Sequence, residues 1–201
     1  NKCKQLRPGT KFGFYGIPCG SRYKNYSQAD PRFRDMNDRM KWWVDSGDAV
    51  FIALYQDRVT LPPGQEVSNW REELTQEQSR DFIVSNVTEA RRLATNGQPV
   101  FVLAWSRFMQ NSANVALQYL DENGCTSMFR TPKEAGADGI ALWDVPLRTE
   151  TDFNDLQRFI NESILPIWRE VVDRPPGPPG GGGDVPPGDG GGGDVPPGGG
   201  G

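Results

Sequence analysis

Tyr15, Tyr55, Trp105 and Trp143 stand at the ends of short apolar runs, and they are the residues of this chain best placed to do chemistry. The runs are Phe12-Gly13-Phe14-Tyr15-Gly16, Ala49-Val50-Phe51-Ile52-Ala53-Leu54-Tyr55, Pro99-Val100-Phe101-Val102-Leu103-Ala104-Trp105 and Gly139-Ile140-Ala141-Leu142-Trp143. Aromatic rings around one mouth suit a sugar, whose C–H faces stack on them. The chain has no histidine. That removes Ser-His-Asp and Cys-His catalysis and His-ligated metals. No phosphate loop or G-x-G-x-x-G fingerprint is present in residues 1–173, so neither a cofactor nor a metal is expected. Carboxylates, tyrosines and tryptophans remain, and these are the residues of carbohydrate chemistry.

The elements between the runs must position them. Near-continuous apolar runs alternating with helical patterns imply a parallel sheet buried on both faces. In a barrel built that way the active site lies at the C-terminal ends of the strands. The four strands are predicted at about Lys11–Ile17, Ala49–Tyr55, Val100–Trp105 and Gly139–Trp143. Pro31 opens a helix with Phe33, Met36, Met40 and Trp43/Val44 inward, ended by Gly47. A long loop, Gln56–Glu73, follows strand two. Thr75 and Gln78 form a capping box for a helix that buries Phe82, Ile83, Val87, Ala90 and Leu93/Ala94, with Gly97 as its stop. Short helices are predicted at 113–120 and 131–136. A last helix from about Thr151 turns Phe153, Leu156, Phe159 and Ile160 inward, and Pro166 breaks or kinks it.

The chain divides at about Asp173. Residues 174–201 hold 14 Gly and 8 Pro and no aromatic residue. The unit Gly-Gly-Gly-Gly-Asp-Val-Pro-Pro-Gly occurs there twice, which reads as a low-complexity disordered tail. Residues 1–173 carry all six Trp and form one domain. Four strand–helix units are half of a (β/α) barrel, which typically takes about 250 residues. The expectation is therefore the C-terminal half of a TIM-like barrel. Its first partner is the missing N-terminal half, and alone it should fold poorly because two sheet edges lack neighbours.

The net charge of −4, with no basic stripe, argues against nucleic acid. No run approaches the ~18 apolar residues that span a membrane. Cys3, Cys19 and Cys125 make no metal-binding pattern; one disulfide and one thiol fit, with the pair undetermined. Sequons at Asn25, Asn86 and Asn161 favour a secreted glycoprotein, Asn86 only if it faces solvent.

At these residues the chain resembles the animal hyaluronidases, glycoside hydrolase family 56. Phe12-Gly13-Phe14-Tyr15-Gly16-Ile17-Pro18-Cys19 is similar to the family's W-G-F-Y-G-F-P-x-C. Asn37-Asp38-Arg39-Met40 with Trp42-Trp43 resembles its N-D-Q-L and Trp-bearing helix. Leu54-Tyr55 sits where the family has its second active-site tyrosine. Pro99-Val100-Phe101-Val102 resembles P-V-F-V, and Gly136-Ala137-Asp138-Gly139-Ile140-Ala141-Leu142-Trp143 resembles G-A-x-G-I-V-I-W. The five pieces are collinear over about residues 6–170.

The resemblance implies a distorted barrel whose groove takes the glycosaminoglycan hyaluronan, sometimes chondroitin. It implies endohydrolysis after N-acetylglucosamine with retention: one glutamic acid donates a proton, and the substrate's acetamido oxygen is the nucleophile. It gives Tyr15 the task of orienting that acetamido group, Tyr55 the second tyrosine's place, and Trp143 a wall of the subsite. Trp105 and Asp144 complete the candidate substrate-binding set. Beside that stand a core or rim reading for Trp105 and a capping role for Asp144. The implied location is extracellular or lysosomal.

The chain departs from the family in several places. The family's acid lies in a D-x-E motif upstream of Gly-Phe-Tyr-Gly, and no D-x-E occurs in this sequence. Pro18 stands where Asp is common, and Leu103 where Tyr is common. The partner cysteines of both usual family disulfides are absent. Three readings stay open: part of an active hyaluronidase whose acid lies outside this chain, a glycan-binding homologue without catalysis, and a related glycosidase with another substrate. The isolated chain is expected not to hydrolyse hyaluronan.

Overall fold

The computed structural model describes residues 5–16, 18, 31–58, 75–110, 118–144 and 146–173. The expectations for Cys3, Cys19, Asn25, most of the loop after strand two and the tail from 174 lie outside them.

In chain order the elements are β1 (Gly13–Tyr15), α1 (Pro31–Arg39), α2 (Lys41–Asp45), β2 (Ala49–Leu54), β3 (Asp57–Arg58), α3 (Gln76–Leu93), β4 (Val100–Trp105), β5 (Met109–Gln110), α4 (Glu122–Phe129), α5 (Thr131–Glu134), β6 (Gly139–Trp143), α6 (Glu150–Phe159), a π-helical turn (Ile160–Ile164) and α7 (Leu165–Asp173). The main sheet runs β1-β2-β4-β6, every pair parallel. Beyond the ends of β2 and β4 the chain pairs again, β3 with β5.

The pleat sorts alternate residues to opposite faces. Val50, Ile52, Leu54, Val100, Val102 and Ala104 are buried in one cluster with Ile83, Val87, Ala90 and Leu93 of α3. Met128 and Phe129 of α4 and Phe159 of α6 join the same cluster. Burying each large side chain contributes about 1.5–3 kcal/mol. The other face carries Phe51 and Phe101, half-buried, their rings stacked at 5.5 Å. At Gly13 a Cβ would lie 2.1 Å from the Ala49 carbonyl oxygen, so only glycine lets β1 approach β2.

The strands at 100–105 and 139–143 and the α3 capping box stand where the sequence puts them. Thr75 Oγ1 accepts from the Gln78 amide at 3.2 Å, and Gln78 Oε1 accepts from the Thr75 amide at 3.0 Å.

Four local expectations are corrected. The helix from Pro31 breaks at Met40, whose amide is shared between the Met36 and Asn37 carbonyls. The break seats Trp43 against Phe14, ring centroids 4.8 Å apart. Asn37 is buried on α1, while Met36 is 46% exposed. Residues 118–120 are not helical: Tyr119 bridges Arg107 in an antiparallel pair. The helix begins later, where Asp121 caps it by accepting from the Gly124 amide. In the last helix, Pro166 has no N–H for the carbonyl of Glu162 and its ring crowds that carbonyl. The backbone widens into the π turn just before it and continues as α7. Phe153 stays 54% exposed, so the inward stripe starts at Leu156.

Asp138 joins the starts of β4 and β6 to α3. Its Oδ2 accepts from the Val100 amide at 2.7 Å and pairs with Arg91 at 2.6 Å. Partial burial works to raise its pKa, but the Arg91 and Val100 hydrogen bonds outweigh it and the pKa is lowered from 3.8. A lowered folded-state value gives stability that is complete above the unfolded pKa and is lost as pH falls through the folded one. Asp138→Asn should therefore flatten the loss of thermal stability between about pH 5 and pH 2, by at most about 1 kcal/mol because the pair is partly solvated. An unchanged acid limb in melts of this variant would refute the assignment.

Candidate functional site

The register places the four aromatic residues on one face of the sheet. Tyr15 is opposite Phe51, and Trp105 is opposite Trp143. Tyr55 directly follows β2, and Leu54 is opposite Ala104, so Tyr55 continues the Trp105–Trp143 row. These are the C-terminal ends of the parallel strands, where a (β/α) barrel does its chemistry.

The groups touch one another. Trp143 Nε1 donates to the Tyr55 hydroxyl at 2.9 Å, and the Tyr55 and Tyr15 hydroxyls are 3.0 Å apart. Trp105 and Trp143 stack at 5.2 Å with their planes 5° apart, and Tyr55 meets Trp143 edge-on at 5.7 Å. Tyr15 is 46% and Trp143 42% exposed, so both can meet a ligand. Trp105 is 8% exposed and forms the backing of the wall rather than its surface.

Asp144 is held behind this wall. Its side chain is 6% exposed. It accepts from Trp105 Nε1 at 3.2 Å, from Arg107 Nε at 3.1 Å and from the Ser106 hydroxyl. Arg107 also donates to the Tyr119 hydroxyl at 2.7 Å, with its guanidinium 4.0 Å from that ring's centroid. Burial pushes the Tyr119 phenol pKa up, partly countered by Arg107. Sequence reading missed Ser106, Arg107 and Tyr119. The available signal was that Ser106 and Arg107 directly follow a strand ending in an aromatic residue, where loops carry function.

The sequons separate. Asn86 is fully buried and donates to the Phe82 carbonyl at 2.8 Å, so the expectation of a glycan there is overturned. Asn161 is exposed on the π turn. Cys125 is a buried free thiol whose pKa burial pushes up to about 12. Among the described residues no group of His, Cys, Asp and Glu could hold a metal ion. No described helix is long and apolar enough to cross a membrane.

No family model matches the sequence. It is similar to hyaluronidase Tab y 2.0101 of Tabanus yao, 24% identical over 182 residues, covering 85% of this chain and 46% of that protein. Hyaluronidase A of Vespula vulgaris is 24% identical over 160 residues, 77% of this chain and 42% of that protein. A chondroitin hydrolase of Caenorhabditis elegans is 22% identical over 177 residues, 85% of this chain and 35% of that protein. Among solved structures, bee venom hyaluronidase in complex with a hyaluronic acid tetramer superposes with a TM-score of 0.65 at 19% identity, covering 85% of this chain and 50% of that one. The chain thus spans about half, or less, of the length of the relatives it matches. Its likeness to the hyaluronidases is one of sequence and of fold: a parallel α/β sheet corresponding to half of their barrel-like domain.

Proposed function

We propose that this chain supplies the aromatic half of the active site of a hyaluronidase-type endoglycosidase acting on hyaluronan or chondroitin. The observation that carries the reading is the hydrogen-bonded line of Trp143, Tyr55 and Tyr15 at the C-terminal strand ends. An indole N–H can only donate, so the Tyr55 oxygen is an acceptor toward Trp143. Tyr55 in turn donates to Tyr15, and Tyr15, the outermost phenol, donates to the acetamido oxygen of N-acetylglucosamine. Each bond in such a line polarises the next. Held near the anomeric carbon, the acetamido oxygen attacks it as the bond to the leaving sugar breaks, which retains configuration after hydrolysis. Trp143 stacks on a sugar ring. The proton for the leaving oxygen comes from a carboxylic acid outside this chain. Secretion and a glycan on Asn161 fit the same reading.

The absence of a D-x-E motif from the sequence favours one second reading, a glycan-binding protein without catalysis. One experiment tests what the two readings share, the binding site and the lack of a proton donor in this chain. Tryptophan emission of the folded fraction of the 201-residue chain, separated by size exclusion and checked by circular dichroism because the chain alone is expected to fold poorly, is titrated with hyaluronan octasaccharide while new reducing ends are counted. A saturable change in emission with no new reducing ends is expected. Emission unchanged at millimolar octasaccharide would refute the binding site. Hydrolysis by the chain alone would refute the placement of the acid.

A further inference from the structure

We propose that Arg107 and Asp144 are positioning residues: a charge-neutral clamp that fixes the Trp105–Trp143 wall and keeps a negative charge away from an anionic ligand. The proposal rests on the preceding reading for the identity of the ligand but not for the existence of the clamp.

The clamp has two tasks. The first is orientation. Stacking between two indoles leaves a ring free to slide and rotate in its plane. The bond from Trp105 Nε1 to Asp144 removes that freedom, and Trp143 lies parallel on the ring so fixed. Arg107 carries the constraint outward, since Tyr119 beneath its guanidinium stacks on Phe159 of α6 at 4.5 Å. The wall is thereby tied to the helix layer as well as to the strands.

The second task is electrostatic. A carboxylate 6% exposed is costly to bury without a countercharge. Beside a site for a polymer bearing uronic acids it would also repel the ligand, and like-charge juxtaposition is a strong determinant against binding. Arg107 at 3.1 Å cancels it. Arg107 therefore governs charge tolerance at the mouth, while Asp144 governs the orientation of the wall.

These tasks make opposite predictions for two conservative variants of the 201-residue chain. Arg107→Gln removes the positive charge 3.1 Å from Asp144 and should weaken hyaluronan octasaccharide at least 10-fold, with less effect on a neutral chitin oligosaccharide. Asp144→Asn keeps an oxygen for the Trp105 indole and leaves the guanidinium charge, so octasaccharide affinity should hold or rise. A merely structural role would lower affinity in both. Independently of any ligand, the Trp105 indole N–H resonance of the ¹⁵N-tryptophan-labelled chain should move toward that of a free indole in Asp144→Leu but not in Asp144→Asn. If Asp144→Leu does not fold, the Asp144→Asn and Arg107→Gln pair carries the test. Affinities that fall together, or an indole resonance unmoved in folded Asp144→Leu, would overturn the clamp. If the unmodified chain binds no octasaccharide but the indole resonance moves as stated, the clamp stands and the assignment of the ligand falls.

Discussion

Joined to a strand that supplies the carboxylic acid, Tyr15→Phe is expected to lower kcat on hyaluronan oligosaccharides by about 100- to 1,000-fold while KM changes little. The scale is that of one oriented donor lost at a reacting centre. The hydroxyl's proposed task is to hold the acetamido oxygen near the anomeric carbon, and holding a nucleophile is realised mainly in the transition state. The geometry adds a second arm. Tyr55 is the middle of the line, accepting from Trp143 at 2.9 Å and sharing a hydrogen with Tyr15 at 3.0 Å. Tyr55→Phe should therefore lower kcat in the same sense but by less, because Tyr15 keeps its own proton. Trp143→Ala should differ in kind, raising KM as well, since it removes both stacking area and the donor that starts the line. Steady-state kinetics decides between them. A Tyr15→Phe enzyme with unchanged kcat would make Tyr15 a packing residue and remove the basis of the proposed function.

How much of this was legible in the sequence follows from the range over which each signal acts. β4 and β6 could be read to the residue because their apolar runs are too short for a helix, begin at Pro99 or Gly139 and are rich in β-branched and aromatic residues. The α3 N-terminus was equally plain, because Thr75 and Gln78 cap locally, whereas its C-terminus falls at Leu93 with Ala94 as the cap, short of the Gly97 expected to stop it. The misreadings came where a tertiary partner overrode a local pattern. Met36 fits the apolar spacing, yet α1 buries Asn37 instead, because Glu89 offers it a hydrogen bond. Asn86 reads as a surface sequon, yet it lies on the face of α3 that packs Ile83 and Val87 into the core, and its amide turns back to the Phe82 carbonyl. The four aromatic residues were legible as strand-end residues. That Tyr15 and Tyr55, 40 positions apart, would share a hydrogen bond depends on sheet register, which no local pattern carries. The Asp144 cluster was only half legible: its place beside Trp143 was plain, its three donors were not.

Glu89→Ala is expected to lower stability by about 2–3 kcal/mol, the scale of a buried hydrogen-bond partner lost. Glu89 is 4% exposed on α3. Its Oε1 accepts from Asn37 Nδ2 of α1 at 2.9 Å, and both its oxygens accept from Arg92 at 2.7 and 2.8 Å. Arg92 reaches on to Asp38 of α1 at 2.7 Å, and the Glu89 hydrogen bond is the first cause of the rise in its pKa, which burial opposes. Removing the carboxylate takes away the bond that ties the buried Asn37 amide of α1 to α3 and a partner of the Arg92 guanidinium at once, and a bond lost at a buried polar group costs more than the bond itself contributed. Set against typical domain stabilities of about 5–15 kcal/mol, such a loss is a large fraction. Glu89→Gln retains an acceptor for Asn37 and should lose about half as much. Urea midpoints of the two variants measure both. The consequence for function runs through β1, which is only three residues long and pairs with β2 alone among the described strands. α1 and α2 are its support on the helix side, through Phe14 against Trp43. With α1 detached from α3, β1 loses that seat and Tyr15 leaves Tyr55. Glu89→Gln should then weaken the ligand-dependent tryptophan response at temperatures well below its melting point. A Glu89→Ala midpoint within about 1 kcal/mol of the unmodified chain would show that apolar packing alone holds α1 in place.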